Sequence, residues 1–183
     1  MSGFRSVTPS ISINTESGQL RTELLNTFNR LDGQLVLAPY RLFTNNGPAL
    51  STGAAETTLF STNIDFNTLS KVGSSILVFI CGTTGANANN KTIKLYFDTY
   101  EVFNSGAFAG NDIDWTLQAE IVRNGGAAEI TWAQFFGSAT LTSKIQVGQA
   151  AVDLTQSQPL ILTGTGTTTG DVSALYWNGQ LLT

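Results

Sequence analysis

The sequence contains no histidine and a single cysteine, Cys81, in 183 residues. Without histidine there can be no Ser-His-Asp or Cys-His relay. One cysteine and no imidazole also leave too few ligands for a zinc centre, and no intrachain disulfide can form. Charge is scarce: Asp, Glu, Lys and Arg make up 12% of the chain, about half the usual share. The nine basic residues are scattered from Arg5 to Lys144, and the net charge is −4. Binding nucleic acid through phosphate neutralisation is therefore not expected. Long apolar runs are missing too. The longest, Ile76–Cys81, falls far short of the roughly 20 residues that cross a bilayer. The opening MSGFRSVTPSISINTE has no apolar core of the kind a cleaved secretory leader needs, so none is expected there. The sequon Asn90-Lys91-Thr92 is accordingly expected to stay unmodified.

What is present is a core-forming chain. Hydrophobic residues supply 42% and aromatics 10%, so the composition is not that of a disordered segment. Thr, Ser, Asn, Gln and Gly take the place of the missing charge. That surface suits a rigid, extracellular or assembly-packed protein.

Residues 1–16 read as an extended arm. Residues 17–34 carry the one long helical pattern, with Leu20, Leu24, Phe28 and Leu31 on one face. Ser17 is a suitable N-cap and Gly33 a suitable C′ residue. A single helix of about 16 residues is marginal in water. Its stripe needs a partner: the rest of the chain, a sister chain or another protein. Leu24, Phe28, Leu31 and Leu35 follow a 4-3-4 spacing, as in a short coiled-coil seam. Leu20, Leu24, Phe28, Leu31 and Leu35 are the candidate oligomerisation or attachment residues. Residues 35–53 are predicted to be a connector, because Pro39 and Pro48 oppose helix and Asn46-Gly47 signals a turn.

From residue 54 onward the pattern is β. In 114–123, Trp115, Leu117, Ala119 and Ile121 alternate with Thr116, Gln118 and Glu120; in 92–98, Ile93, Leu95 and Phe97 alternate with Lys94 and Tyr96. The apolar SSILVFICG predicts a central strand. Further strands are expected at 56–64, 100–104, 127–136, 140–147, 150–155, 158–163 and 172–177, with a short tail at 180–182. Turns are expected at Asn124-Gly125-Gly126, Gly137-Ser138, Gly164-Thr165-Gly166 and Asn178-Gly179. Closely spaced strands without crossover helices predict an all-β fold: an antiparallel sandwich or jelly roll over 54–183.

Chemistry is hard to find. The glycines of 164–170 precede a strand rather than a helix, which argues against phosphate binding. Asp112 and Asp114, and Asp98 and Glu101, read as loop and hairpin acids, with Asn111 and Asp112 forming a turn. Neither pair has the local spacing of a glycosidase or a calcium loop. Cys81 reads as a small core residue. Among the aromatics, Phe103, Phe108, Trp115, Trp132, Phe135, Phe136, Tyr176 and Trp177 read mainly as core. Phe103 and Phe108 flank the loop Asn104-Ser105-Gly106-Ala107 and are the candidates for stacking on a ligand. No catalytic residue, metal or cofactor is expected.

Residues 91–126 resemble a segment of tailed-bacteriophage virion proteins. The matching positions are Phe103, Ser105, Gly106 and Ala107, then Trp115, Leu117, Ala119, Ile121, Arg123 and Gly125. Residues 20–45 resemble the lead-in to the β domain of such proteins. The resemblance covers about a third of the chain and points to the jelly-roll class of structural phage proteins. It implies a non-enzymatic virion component assembled in the host cytoplasm: a capsid decoration or cement protein, a head fibre or a tail-fibre part. Such proteins are often trimers attached by an N-terminal arm or helix to a major capsid or tail protein. A carbohydrate- or receptor-binding module with host glycan as its ligand is the alternative.

Overall fold

The computed structural model describes residues 40–125, 129–137 and 143–183. The expected arm, the expected helix and the candidate residues Leu20, Leu24, Phe28, Leu31 and Leu35 lie outside the described residues. Among the described residues there is no helix, and eleven strands occur. They are β1 (Tyr40–Thr52), β2 (Thr57–Ile64), β3 (Ser75–Thr84), β4 (Asn90–Phe97), β5 (Tyr100–Asn104), β6 (Phe108–Ala109), β7 (Asp114–Arg123), β8 (Glu129–Gly137), β9 (Lys144–Ala150), β10 (Gln158–Thr165) and β11 (Thr169–Leu182).

Two antiparallel sheets result. One has the order β1-β11-β3-β7-β8-β9; the other runs β2-β10-β4-β5, with β6 paired to the start of β4. The chain crosses between sheets after β1, β2, β3, β5, β9 and β10, apart from the two-residue β6 on the way to β7. Without β6 and the β8–β9 hairpin, what remains is four strands on four in the alternation of a jelly roll. The hairpin widens one sheet only.

Alternation explains the core. Ile76, Val78 and Ile80 of β3, Trp115, Leu117, Ala119 and Ile121 of β7, Ile93, Leu95 and Phe97 of β4, and Leu160 and Leu162 of β10 are all buried. Each Val, Ile, Leu or Phe among them contributes about 1.5–3 kcal/mol through burial. Aromatic contacts tie the sheets together. Trp177 lies 5.4 Å from Phe60 and 4.6 Å from Phe43 between ring centroids. Phe135 touches Phe103, Phe108 and Trp115 at 5.4, 6.0 and 6.2 Å.

Several expectations are corrected. The connector is largely strand: β1 pairs with β11 along the sheet edge. Pro48 is tolerated because an edge strand needs only one row of main-chain bonds. Asn46-Gly47 makes no reversal. It sits at a register shift between Asn46 and Ala49, with Gly47 at φ 127°, which is a bulge. Asn178-Gly179 is likewise no turn, since β11 runs straight through it. Gly179 is there because Phe43 lies on it; an added Cβ would meet that ring at 2.2 Å. Residues 151–157 are loop, not strand. Asp153 Oδ1 accepts from Thr155 N at 2.9 Å and Thr155 Oγ1 at 2.6 Å, an Asx turn that ends the ladder. Asp112 does take a turn conformation, with φ 54°.

Candidate interaction surface

The outer face of the six-stranded sheet follows directly from the register. One row across it reads Val147, Trp132, Glu120, Leu77, Gln180 and Arg41. The next reads Ile145, Gln134, Gln118, Phe79, Asn178 and Thr44. A third runs from Phe136 through Thr116, Cys81 and Tyr176 to Asn46. Charge is nearly absent from these rows, while Phe79, Ile130, Phe136, Ile145 and Val147 are exposed. Cys81 therefore sits half-buried on this outer face, not in the core as expected. Burial pushes its thiol up, and the nearby Asp114 adds to that, so the thiolate is disfavoured.

The opposite outer face is different. Lys94 Nζ, on β4, lies 3.2 Å from Glu56 Oε2, 3.1 Å from Tyr96 OH and 3.7 Å from Glu101 Oε2. The hydrogen bonds with Tyr96 and Glu56 raise its pKa. Such solvated pairs add little stability, but they mark a face built for water.

Two features concentrate on the apolar face. At its centre, Leu77, Phe79, Tyr176, Asn178 and Gln180 line a shallow hollow of about 340 Å³. The Phe79 and Tyr176 rings are 6.5 Å apart and tilted by 56°. At its margin, β9 has Ile145 60% and Val147 66% exposed. Val147 stands opposite Trp132 of β8. The inner side of β9 is fixed to β5: Gln146 Oε1 accepts from Asn104 N at 3.1 Å, and Lys144 Nζ donates to the Asn104 carbonyl. Gly148 leaves room for the Tyr100 hydroxyl, which an added Cβ would meet at 2.0 Å.

This arrangement decides the stacking candidates. Phe103 is fully buried. It lies against Phe135, with the Lys144 ammonium 5.8 Å above its ring. The exposure expected of it is not found, because a bulge at Val102 interrupts the alternation of β5 and sets Phe103 inward, opposite Leu95. Phe108 is half-buried at the start of β6 and also rests on Phe135. Phe79 gave no signal because Ile76–Cys81, apolar at every position, does not show which half faces water; Tyr176, expected in the core, lies on the outer face because the register shift before it changes the phase of β11.

One end of the sandwich is organised by two buried charges. Asp171 Oδ1 accepts from Asn87 Nδ2 (2.7 Å) and Thr168 Oγ1 (2.8 Å); Oδ2 accepts from Asn89 Nδ2 (3.2 Å), Thr167 N (2.6 Å) and Thr168 N (2.8 Å). Burial works to raise its pKa. The donors, led by Thr168 N, outweigh it and hold the carboxyl well below the usual range. Lys91 Nζ donates to Asn87 O, Asn87 Oδ1 and Asn89 O, each at 2.9 Å, and to Gly110 O at 2.6 Å. Burial lowers its pKa, and Asp171 opposes that. Asn87 thus joins the ammonium to the carboxylate.

A third buried ionisable group is Glu129, at the start of β8. Its Oε2 accepts from Val152 N at 3.0 Å, and its Oε1 has no partner among the described residues. Burial pushes this carboxyl up, against the Val152 bond and Arg123. Asp98 and Asp112 occupy turns, and Asp114 opens β7. Among the described residues, no group of three metal-ligating side chains converges.

No family model matches the chain, and no curated protein matches it. Solved structures offer distant similarity. Lectin II from Ulex europaeus is 10% identical, with 79% of this chain and 94% of that one aligned and a TM-score of 0.36. The CBM2 module of the evolved Dit of Lactobacillus casei BL23 phage J-1 is 9% identical over 78% and 95%, TM-score 0.34. The D431N VP2 protein of infectious bursal disease virus, from T=1 particles, is 16% identical with TM-score 0.34. Here 80% of this chain is aligned, but it spans only 32% of VP2. Likeness at this distance lends no function to the chain.

Proposed function

We propose that this chain is a non-enzymatic structural protein of a tailed-phage virion, a capsid decoration or cement protein anchored by its N-terminal arm and helix and assembled in the host cytoplasm. The observation that carries this reading is the contrast between the two outer faces. One bears the Lys94–Glu56–Glu101 group. The other leaves Phe79, Ile130, Phe136, Ile145 and Val147 uncovered in nearly uncharged rows. An exposed apolar face of that extent is characteristic of a protein that works against a neighbour. The resemblance of residues 91–126 to phage virion proteins supplies the kind of assembly. Packing of apolar area would hold the lattice neighbours, because the face has few charges to pair. A homotrimer docked on a major capsid or tail protein is the arrangement proposed.

Deletion of residues 1–34 tests the anchor. Gradient-purified particles of the phage carrying the deletion are expected to lack the protein, as measured by mass spectrometry. The truncated β body is expected to melt cooperatively. Incorporation at the full level would refute the anchor, and absence of the intact protein from virions would refute the structural role.

A second reading, a head-fibre or tail-fibre component that binds host glycan, is favoured by the hollow between Phe79 and Tyr176. Two aromatic rings beside the Gln180 amide and the Tyr176 hydroxyl, which Asn178 Nδ2 holds at 2.9 Å, are the chemistry for stacking and hydrogen bonding a neutral sugar. Glycan-array signal lost at least about tenfold in Phe79→Ala and Tyr176→Ala would favour it. Absence of signal for the intact protein counts against it.

A further inference from the structure

We infer that β9 is a self-pairing edge, joining two copies of this chain about a two-fold axis through Gln146. The inference rests on β9 alone and holds whether or not the protein is a virion component.

The strand ends the order β1-β11-β3-β7-β8-β9. Among the described residues it has a neighbour on one side only, so a full row of main-chain donors and acceptors is left over. Edges of this kind are normally blunted by proline, charged side chains or a bulge. KIQVGQA contains no proline, and its pairing with β8 shows no register shift. Its one charge, Lys144, is the first residue of the strand, and its ammonium is taken up by the Asn104 carbonyl of β5, which leaves Ile145–Ala150 uncharged. Its outward side chains include the two most exposed aliphatics of the six-stranded sheet's outer face, Ile145 and Val147.

These properties select the occupant. A second copy, run antiparallel with Gln146 opposite Gln146, sets Ile145 against Val147 twice. Lys144 then falls opposite Gly148, so no like charges meet. The pairing is isologous, as a closed dimer requires. It extends two six-stranded sheets into one of twelve and continues the apolar rows across the axis. A strand from an unrelated partner would gain the same main-chain bonds but not this self-match.

The test uses the full-length protein in a Cys81→Ser background, with Ile145 and Val147 both replaced by cysteine. Mild oxidation is expected to trap a covalent dimer, and Val147→Cys alone, which has no cysteine opposite it, is expected to trap none. In a second arm, Val147→Asp is followed by sedimentation. The aspartate is exposed in the monomer and keeps the melting temperature, but it is expected to weaken self-association at least about 100-fold. Failure of the double-cysteine protein to crosslink, or sedimentation unchanged by Val147→Asp, would overturn the inference. Neither result touches the anchoring test, which reads particle content.

Discussion

Asp171→Ala is expected to unfold about 10 °C below the parent protein at pH 7, a loss of roughly 3–5 kcal/mol. The carboxylate is the common acceptor for five donors from two loops. Deleting it strands Thr167 N and Thr168 N together with two asparagine amides. It also removes the charge that offsets the buried Lys91 ammonium. Asp171→Asn is expected to do little better. Every neighbour of the carboxylate donates, so the new amide NH₂ would face a donor whichever way it turned. The pH dependence has a definite sign. The folded-state pKa is depressed, so the contribution of Asp171 is complete above the ordinary unfolded value near 4. It is lost as the pH falls below that. Melts of parent and variant should therefore be furthest apart at neutral pH and draw together towards pH 3. Equal melting temperatures at pH 7 would refute this account of the node. Lys91→Met combined with Asp171→Ala should cost less than the sum of the two, because Asn87 binds both partners.

Gly82→Ala is expected to cost about 3 kcal/mol, at the upper end for overpacking. A Cβ at residue 82 would lie 2.0 Å from the Ser173 carbonyl oxygen and 2.3 Å from the Trp115 ring. The first is main chain of the neighbouring strand and can yield only if β3 and β11 separate. The second is an indole held by its Nε1 donating to Thr83 O at 3.1 Å. The near-UV circular dichroism of Trp115 should change along with the melting temperature. A variant melting within 1–2 °C of the parent, about 0.5 kcal/mol at this size, would show that the strands can move apart at little cost.

Much of the fold was legible from period two. Trp115–Ile121 and Ile93–Phe97 alternate so regularly that their inward faces could be named. What defeated the reading was backbone irregularity. The bulge at Leu175, between Ala174 and Tyr176, changes the phase of β11, and the Asn178-Gly179 turn signal splits that one strand into two apparent ones. Proline and Asn-Gly hid β1, because both are turn signals that an edge strand tolerates. The Asp171 node was not legible, since Asn87, Lys91 and Asp171 are brought together only by the fold. One trace of it was visible: Lys91 is in phase with Ile93, Leu95 and Phe97, which places a cation on the buried side. Phe103 was misjudged for the converse reason. The glycine loop beside it suggested exposure, while the bulge at Val102 carried it inward.

The strand order also constrains how the molecule is made. In one sheet β11 lies between β1 and β3; in the other β10 lies between β2 and β4. On the ribosome, the first four strands emerge without the partners that will separate and bridge them. Only the β4–β5 hairpin and the β7-β8-β9 run can pair locally as they appear. Tyr40 waits for Leu181, so closure is governed by contacts of very long sequence separation, which are slow to form. Until β10 and β11 arrive, the nascent chain exposes the edges of two half-built sheets. Its exposure to aggregation during synthesis is thus set by the arrival of the last two strands, one for each sheet.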